Sequence, residues 1–492
     1  MREDYKRAGL EKVAAWNGKG RIGDAYVLPK HKDLEKWRPI APTNNEPTKT
    51  GSMRIARALN ALLVRLPAGE HFNMGVTTQL KERLMGIERE RGSRRTGAMA
   101  ILRSSDIKEM FTSLPHTSII EAVEWLLGEW EKKRRTGVSV SRRVKEVVMS
   151  KKSMGNGYVK LSFHLIISYV KYELAHTYTK CAGVLLKQEV GIPMGKNSSP
   201  PLACILCAKF EMEFMRSLGK DRALVHSVRF MDDVATTILV DRRKEDSFHK
   251  AEEIMARFEK CYGDKLVLVR TDEGDNTIDF IGVKVTAVAD PVGFLVLPQM
   301  KNQDWIAEKD LSFRSFQDYA CYSDKRAKYG AIVGTLHRIR GMANSGCAII
   351  TPVLTVRREL RCRGYPPTFF ASSLAKFAKG TIANEEPWKA LLDSMPFGGR
   401  RVGWVRRSAV GCCEVAADAA ATNTNIHGGP TVTRPTTRVR ASSEGRQANV
   451  VNNVIAKVST MHARSDGDGS GSGRADYEIV EEAADDMEEE DD

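Results

Sequence analysis

"SVRFMDDVATTILV" occupies residues 227–240. Two adjacent aspartates, Asp232 and Asp233, separate two runs rich in β-branched and aromatic residues, 225–230 and 235–240. Runs of that composition around a short polar interruption read as a β-hairpin. The aspartates at its tip are either an acidic turn or a pair of metal ligands. The dipeptide itself does not decide, because Asp-Asp recurs at 485–486 and 491–492, inside an acidic tail.

Working outward, "AMAILRSSD" (98–106) reads as a strand that ends in a third acid, Asp106. Ser118 and Glu121 match a capping box, in which the two side chains satisfy each other's backbone N–H groups at a helix start. Ile119, Ile120, Val123, Leu126, Leu127 and Trp130 then follow helical spacing. Phe248, Ala251, Ile254, Met255, Phe258 and Cys261 mark a second amphipathic helix. "DAYVLPKHKDLEKWRPIAP" (24–42) reads as strand, turn, strand, whereas "KLVLVR" (265–270), "DFIGVKV" (279–285) and "GFLVL" (293–297) read as single strands. Residues 301–395 look mainly helical and rich in arginine. The expected fold class is therefore α+β, with helices packed against one sheet. If the strands ending at Asp106 and starting at Asp233 pair, all three carboxylates meet at one sheet end.

Such a cluster suits two divalent cations about 3.5–4 Å apart, which need hard anionic oxygens on a rigid base. Without a cation the carboxylates repel one another, so the arrangement is costly as mere structure.

The bulk composition points the same way. The 492 residues are 42% hydrophobic and 28% charged, the range of an ordinary globular chain with room for two or three domains. The net charge is +14, yet residues 476–492 carry eleven acidic side chains and no basic ones; removing them leaves +25 on residues 1–475. A body that basic calls for a polyanionic partner, nucleic acid above all, or is a solubilising surface. Nine cysteines are scattered without zinc-like spacing; Cys204 and Cys207 sit in the apolar run "PPLACILCAKF" and read as buried free thiols. This usage fits a reducing compartment. No apolar run is long enough to span a membrane, and "MREDYKRAG" lacks a signal-peptide core. From about residue 399 to 492, aromatics are scarce and Ala, Thr, Ser, Gly and Arg dominate; the expectation is a disordered tail.

With the acids placed, a family resemblance emerges. "SSDIKEMFTSLPH" (104–116), "GIPMGKNSSPPLA" (191–203) and "FMDD" (230–233) resemble reverse-transcriptase motifs A, B and C; "FIGVKV" (280–285) is similar to the primer-grip motif E, and "KWRPIAP" (36–42) to the fingers motif. They occur in the family's order. Together with "LHRIR" (336–340) and "RGYP" (363–366) they most resemble the Penelope-like retroelement enzymes, over about residues 24–380.

The resemblance implies an RNA-directed DNA polymerase that extends a DNA primer on an RNA template with dNTPs. It implies a right-hand layout: fingers at 1–97 and 136–187, palm at 98–135 and 188–300, a helical thumb at 301–398, then the tail at 399–492. Asp106, Asp232 and Asp233 match the metal-binding triad for two Mg²⁺ ions, or Mn²⁺, with Asp233 the least strictly needed. Phe111 matches the gate against a ribose 2′-hydroxyl; the alternative is a core phenylalanine. Arg38 matches the triphosphate-binding arginine. Gly191, Pro193 and Gly195 match the floor under the nascent base pair, and Phe280 and Gly282 the primer grip. Arg338, Arg340 and Arg363 would pair with phosphates of the RNA–DNA duplex.

Departures are visible. Val190 stands where many relatives have Gln, and Lys265 is the nearest candidate for a general acid. No stretch resembles the GIY-YIG nuclease that most Penelope-like proteins carry, so the expectation is an endonuclease-lacking member or a partial copy. A nuclear location follows from the resemblance alone. Two other readings stand: a catalytically inactive or domesticated protein of this fold that binds RNA or DNA, and an RNA-dependent RNA polymerase, against which Phe111 and the "RPI" box speak.

Overall fold

The computed structural model describes residues 1–30, 33–67, 69–91, 97–149, 155–263, 266–289, 291–303 and 315–395. The chain divides into two compact units, Met1–Leu28 with Pro39–Glu414, and Pro29–Arg38 with Val415–Asp492. In the second, the described residues belong to the strands Tyr26–Lys30 and Asp33–Ile40. Lys265 and the expected tail lie outside the described residues.

A four-stranded antiparallel sheet forms the centre of the larger unit. Its order is Val267–Arg270, Ala98–Lys108, Asp233–Asp241, Val228–Phe230. Both middle strands are rich in β-branched and aliphatic residues, which fit a pleated surface covered on both sides. Every residue from Val234 to Val240 is buried. Val234, Ile238 and Val240 face one hydrophobic cluster, together with the helices His116–Glu131, Ser199–Ser217 and Glu245–Glu259. Ala235 and Leu239, one pleat over, face another with Ala100, Leu102, Ile278, Phe280 and Val283. Strand alternation thus sorts successive residues into two cores, each buried Leu or Ile contributing about 2 kcal/mol.

The second face is covered by a separate three-stranded sheet, Thr277–Phe280, Val283–Val288 and Gly293–Pro298. Two expectations change here. The helices are not confined to one sheet: Gln79–Arg91 and Cys347–Cys362 pack on the strand Gly293–Pro298 of the three-stranded sheet. "DFIGVKV" is not one strand but a hairpin, because Ile281 and Gly282 take φ of +44° and +77° and pair Phe280 with Val283.

The Ser118–Glu121 capping box also fails. The helix starts at His116 with Pro115 as its N-cap, so Ser118 lies inside the first turn. Pro115 has φ −66°, already set for helix entry.

The C-terminal described part is helical, as expected: Lys325–Met342, Cys347–Cys362, Pro367–Phe377 and Trp388–Asp393. Ile332, Leu336 and Ile339 recur at helical spacing and build their own core with Val353, Leu360, Leu374 and Trp388.

Candidate active site

Phe230 pairs with Asp233 in the 227–240 hairpin, which leaves Met231 and Asp232 as its two-residue turn. Met231 takes a left-handed φ of +57°, as tight hairpin turns require. On the other flank Asp233 stands directly opposite Asp106 in the antiparallel register. The Asp232 carbonyl accepts the Ile107 N–H at 2.9 Å, locking the turn to the strand that carries Asp106. Asp232 is only 4% exposed, whereas Asp106 and Asp233 are partly open.

The three carboxylates therefore gather at one end of two strands. They do not form a finished cage: among the described residues no group of three or more His, Cys, Asp or Glu side chains is close enough to hold a metal ion. Asp232 lies in the turn whereas Asp233 begins the strand, so the two are not held on one strand face. The donor set nonetheless suits a hard cation. Lys108, two residues beyond Asp106 on the same face, places its ammonium 2.5 Å from Asp106 Oδ2, so positive charge already sits on that carboxylate.

The glycine-rich turn lies beside this strand. Gly191 has φ +77°, and a Cβ there would meet the Phe111 and Thr112 carbonyl oxygens at 2.7 and 2.6 Å. Ile192 N–H donates to the Phe111 carbonyl at 2.7 Å. Phe111 and Gly191 are thus in backbone contact, and the Phe111 ring, 8% exposed, packs in the main core. Gly195, at φ +118°, lies against Ala41, whose N–H donates to the Met194 carbonyl at 3.0 Å. The Thr43 hydroxyl donates to the Gly195 carbonyl. Pro193 lies between the two bends. Arg38 lies on the strand Asp33–Ile40, half-buried.

At the other expected contact surface, Gly282 and Arg338 meet. A Cβ on Gly282 would lie 2.3 Å from Arg338 Nη2. Phe280 is 2% exposed and packs in the core, so the turn at Ile281–Gly282, not the ring, faces outward. The other two arginines are engaged inside the helical part. Arg340 forms a two-pronged pair with Glu385. Arg363 is buried, bonded to Glu359 and Asp318, and its guanidinium ties the end of the helix Cys347–Cys362 to the non-helical segment at Asp318.

Two buried charge clusters escape a sequence reading. Lys196 sits 3.3 Å from Glu46 and 3.6 Å from Glu173, each side chain 10% exposed or less. Burial raises the Glu46 carboxyl above its ordinary range, against the pull of the Lys196 ammonium. Arg229 and Glu211, both fully buried, form the second. Burial, the largest influence, would lower the Arg229 pKa, but the Glu211 carboxylate together with Cys207, Cys204 and Tyr262 raises it overall and holds the charge. The one available signal was a charge inside an apolar run, Glu211 in "ACILCAKFEMEFM" and Arg229 in "SVRFM".

No protein-family model and no curated protein matches the sequence. Among solved structures, telomerase from Candida albicans in complex with a TWJ fragment of telomeric RNA is similar at 11% identity and a TM-score of 0.41, over 79% of this chain and 69% of that one. Apo telomerase from Candida tropicalis is similar at 12% identity and a TM-score of 0.43, over 78% of this chain and 63% of that one; the chain spans less than two thirds of that protein's length. A Sicinivirus 3Dpol RNA-dependent RNA polymerase matches at 9% identity and a TM-score of 0.31, over 57% of this chain and 52% of that one. Likenesses this partial assign no activity to the chain. Among the described residues, no helix is long and apolar enough to cross a membrane.

Proposed function

We propose that the chain is an RNA-directed DNA polymerase of the Penelope-like retroelement type, acting on an RNA template, a DNA primer and dNTPs. The observation that carries the reading is the pairing of Asp106 with Asp233, with the buried Asp232 in the turn between strands. On this reading the palm is 98–135 and 188–300, the fingers are 1–97 with 136–187, and the thumb is 301–398.

Asp106, Asp232 and Asp233 would hold Mg²⁺, or Mn²⁺. When bound, two such ions lower the pKa of an attacking hydroxyl and offset charge on a transferring phosphoryl group. The chain's own residues do the rest. The strand pairing fixes the backbone positions of Asp106 and Asp233 before substrate arrives, which leaves side-chain rotation and release of Lys108 as the reorganisation that ion binding would require. Phe111, held through its carbonyl by Ile192, closes the space beside the sugar and disfavours a 2′-hydroxyl. The Gly191–Gly195 bend supports the nascent base pair by close backbone approach. Arg38 offers a planar fork suited to a triphosphate. Arg338, beside the Gly282 turn, pairs with a primer-strand phosphate.

The decisive experiment is primer extension on an RNA template with Mg²⁺ or Mn²⁺, comparing dNTPs with NTPs, beside Asp232→Ala. Extension with dNTPs that the variant loses supports the reading. Extension with NTPs alone would make the chain an RNA polymerase. Retained duplex binding without extension would make it a nucleic-acid-binding protein.

A further inference from the structure

The Met231–Asp232 turn needs something to hold it. A left-handed non-glycine residue is strained, and here it precedes the most buried of the three acids. The group that meets it is not a carboxylate or a metal but a buried guanidinium.

We propose that Arg229 is the positioning residue of this turn, tying the Met231 carbonyl to the Ser199–Ser217 helix. Arg229 is 0% exposed. Its Nη1 donates to the Met231 carbonyl at 3.0 Å, and its Nη2 donates to the Cys204 carbonyl at 3.1 Å. Its Nε donates to Glu211, seven residues further along the same helix. The Cys204 thiol lies 3.8 Å from the Met231 sulfur, so turn and helix also touch directly.

Glu211 is itself fixed. It accepts the Phe72 N–H at 2.8 Å and the Tyr262 hydroxyl at 3.0 Å. The Arg229 main chain joins the same segment, donating to the Phe72 carbonyl and accepting the Met74 N–H at 2.8 Å. A planar fork with five donors can reach an acid and two carbonyls at once; an ammonium cannot hold that geometry. The helix it grips begins four residues after Gly195. The same helix that follows the glycine-rich bend therefore sets where the Asp232 turn sits. The geometry stands without the polymerase reading, but the catalytic consequence rests on it.

The obvious variant, Arg229→Met, leaves Glu211 as an uncompensated buried charge and endangers the fold. The informative variant is Arg229→Met with Glu211→Gln. It removes both charges and keeps an amide oxygen for the Phe72 N–H. Arg229→Lys is the second variant: it keeps the charge for Glu211 and loses the reach to both carbonyls. Each is first checked by thermal melting and circular dichroism.

In the folded variants, the Ile107 amide, which donates to the Asp232 carbonyl, exchanges with solvent at least about tenfold faster than in the wild type. Primer extension loses about 100-fold in kcat with KM for dNTP changed less than about threefold, as a displaced catalytic group dictates. Wild-type protection at Ile107 in either folded variant overturns the proposal, as does wild-type kcat in an active protein. If the wild-type protein extends no primer, the polymerase reading falls, while amide exchange still decides the role of Arg229.

Discussion

Asp106 and Asp233 stand directly opposite each other across two antiparallel strands, and the Asp232 carbonyl closes the same junction through the Ile107 N–H. Opposed like charges are destabilising in a ladder, and the Lys108 ammonium beside Asp106 offsets part of that repulsion. On the polymerase reading proposed above, Asp106→Asn and Asp232→Asn each lower extension by about 1000-fold or more with duplex binding retained, because ionised ligands would be lost from the charge-stabilising site. Asp233→Asn costs less, about 10- to 100-fold, and melts at or above the wild-type temperature, since it removes repulsion. Single-turnover extension beside thermal melting checks both halves. Equal losses for Asp232 and Asp233 would refute the ranking.

The contact between Gly282 and Arg338 gives a coupling that can be measured. A methyl group at Gly282, where φ is +77° and the guanidinium is 2.3 Å from the Cβ position, displaces the arginine. Gly282→Ala and Arg338→Ala each weaken template–primer binding, and the double variant is no worse than the poorer single one. Arg338→Ala also reduces the slope of log Kd against log salt by about one, the share of a single phosphate contact. Arg363→Ala instead lowers the melting temperature, because its guanidinium bridges Glu359 and Asp318 inside the helical part. Additive losses for Gly282 and Arg338 would separate the two groups.

The fold was legible where a side-chain period reports a face. The alternation around Asp232–Asp233 marks the hairpin, and Ile332, Leu336 and Ile339 mark a helix at its correct spacing. It was illegible where backbone conformation overrides composition. "FIGV" has the hydrophobicity of a strand, yet positive φ at Ile281 and Gly282 folds it into a hairpin. Ser118 has the chemistry of an N-cap, yet Pro115 starts the helix earlier. The acids and glycines of the proposed site stand out in the sequence by residue type, and the structure brings Asp106 and Asp233 into register. The supports of that site do not stand out, because Arg229 with Glu211 and Lys196 with Glu46 become partners only through tertiary contact.

His71 makes stability depend on acid. It is 3% exposed, its Nδ1 accepts the Asn73 N–H, and burial lowers its pKa to about 4. The folded state thus stays neutral where an unfolded histidine, at 6.5, takes a proton. The contribution is complete above pH 6.5 and is lost as pH falls toward about 4. It amounts to about 3 kcal/mol at most. His71→Gln removes that slope in denaturant melts. An unchanged slope in the variant would assign the acid sensitivity to other groups.

Lys196 is the complementary case, with two carboxylates sharing one buried ammonium. Lys196→Met strands Glu46 and Glu173 in the interior, and removing one member of a buried ionic group costs about 3–5 kcal/mol. The pH dependence identifies the cause. Burial raises the Glu46 pKa above its ordinary 4.5. A carboxyl so raised stabilises the fold in acid and loses that contribution as pH climbs through its folded value. Without the Lys196 ammonium the folded value rises further, so the variant loses stability over a wider range toward neutral pH. The gap between Lys196→Met and wild type therefore narrows from about pH 8 to about pH 5 in denaturant melts, and adding Glu46→Gln recovers part of it near neutrality. A gap that is constant with pH, and indifferent to Glu46→Gln, would mean that Lys196 acts by packing its methylenes rather than by its charge.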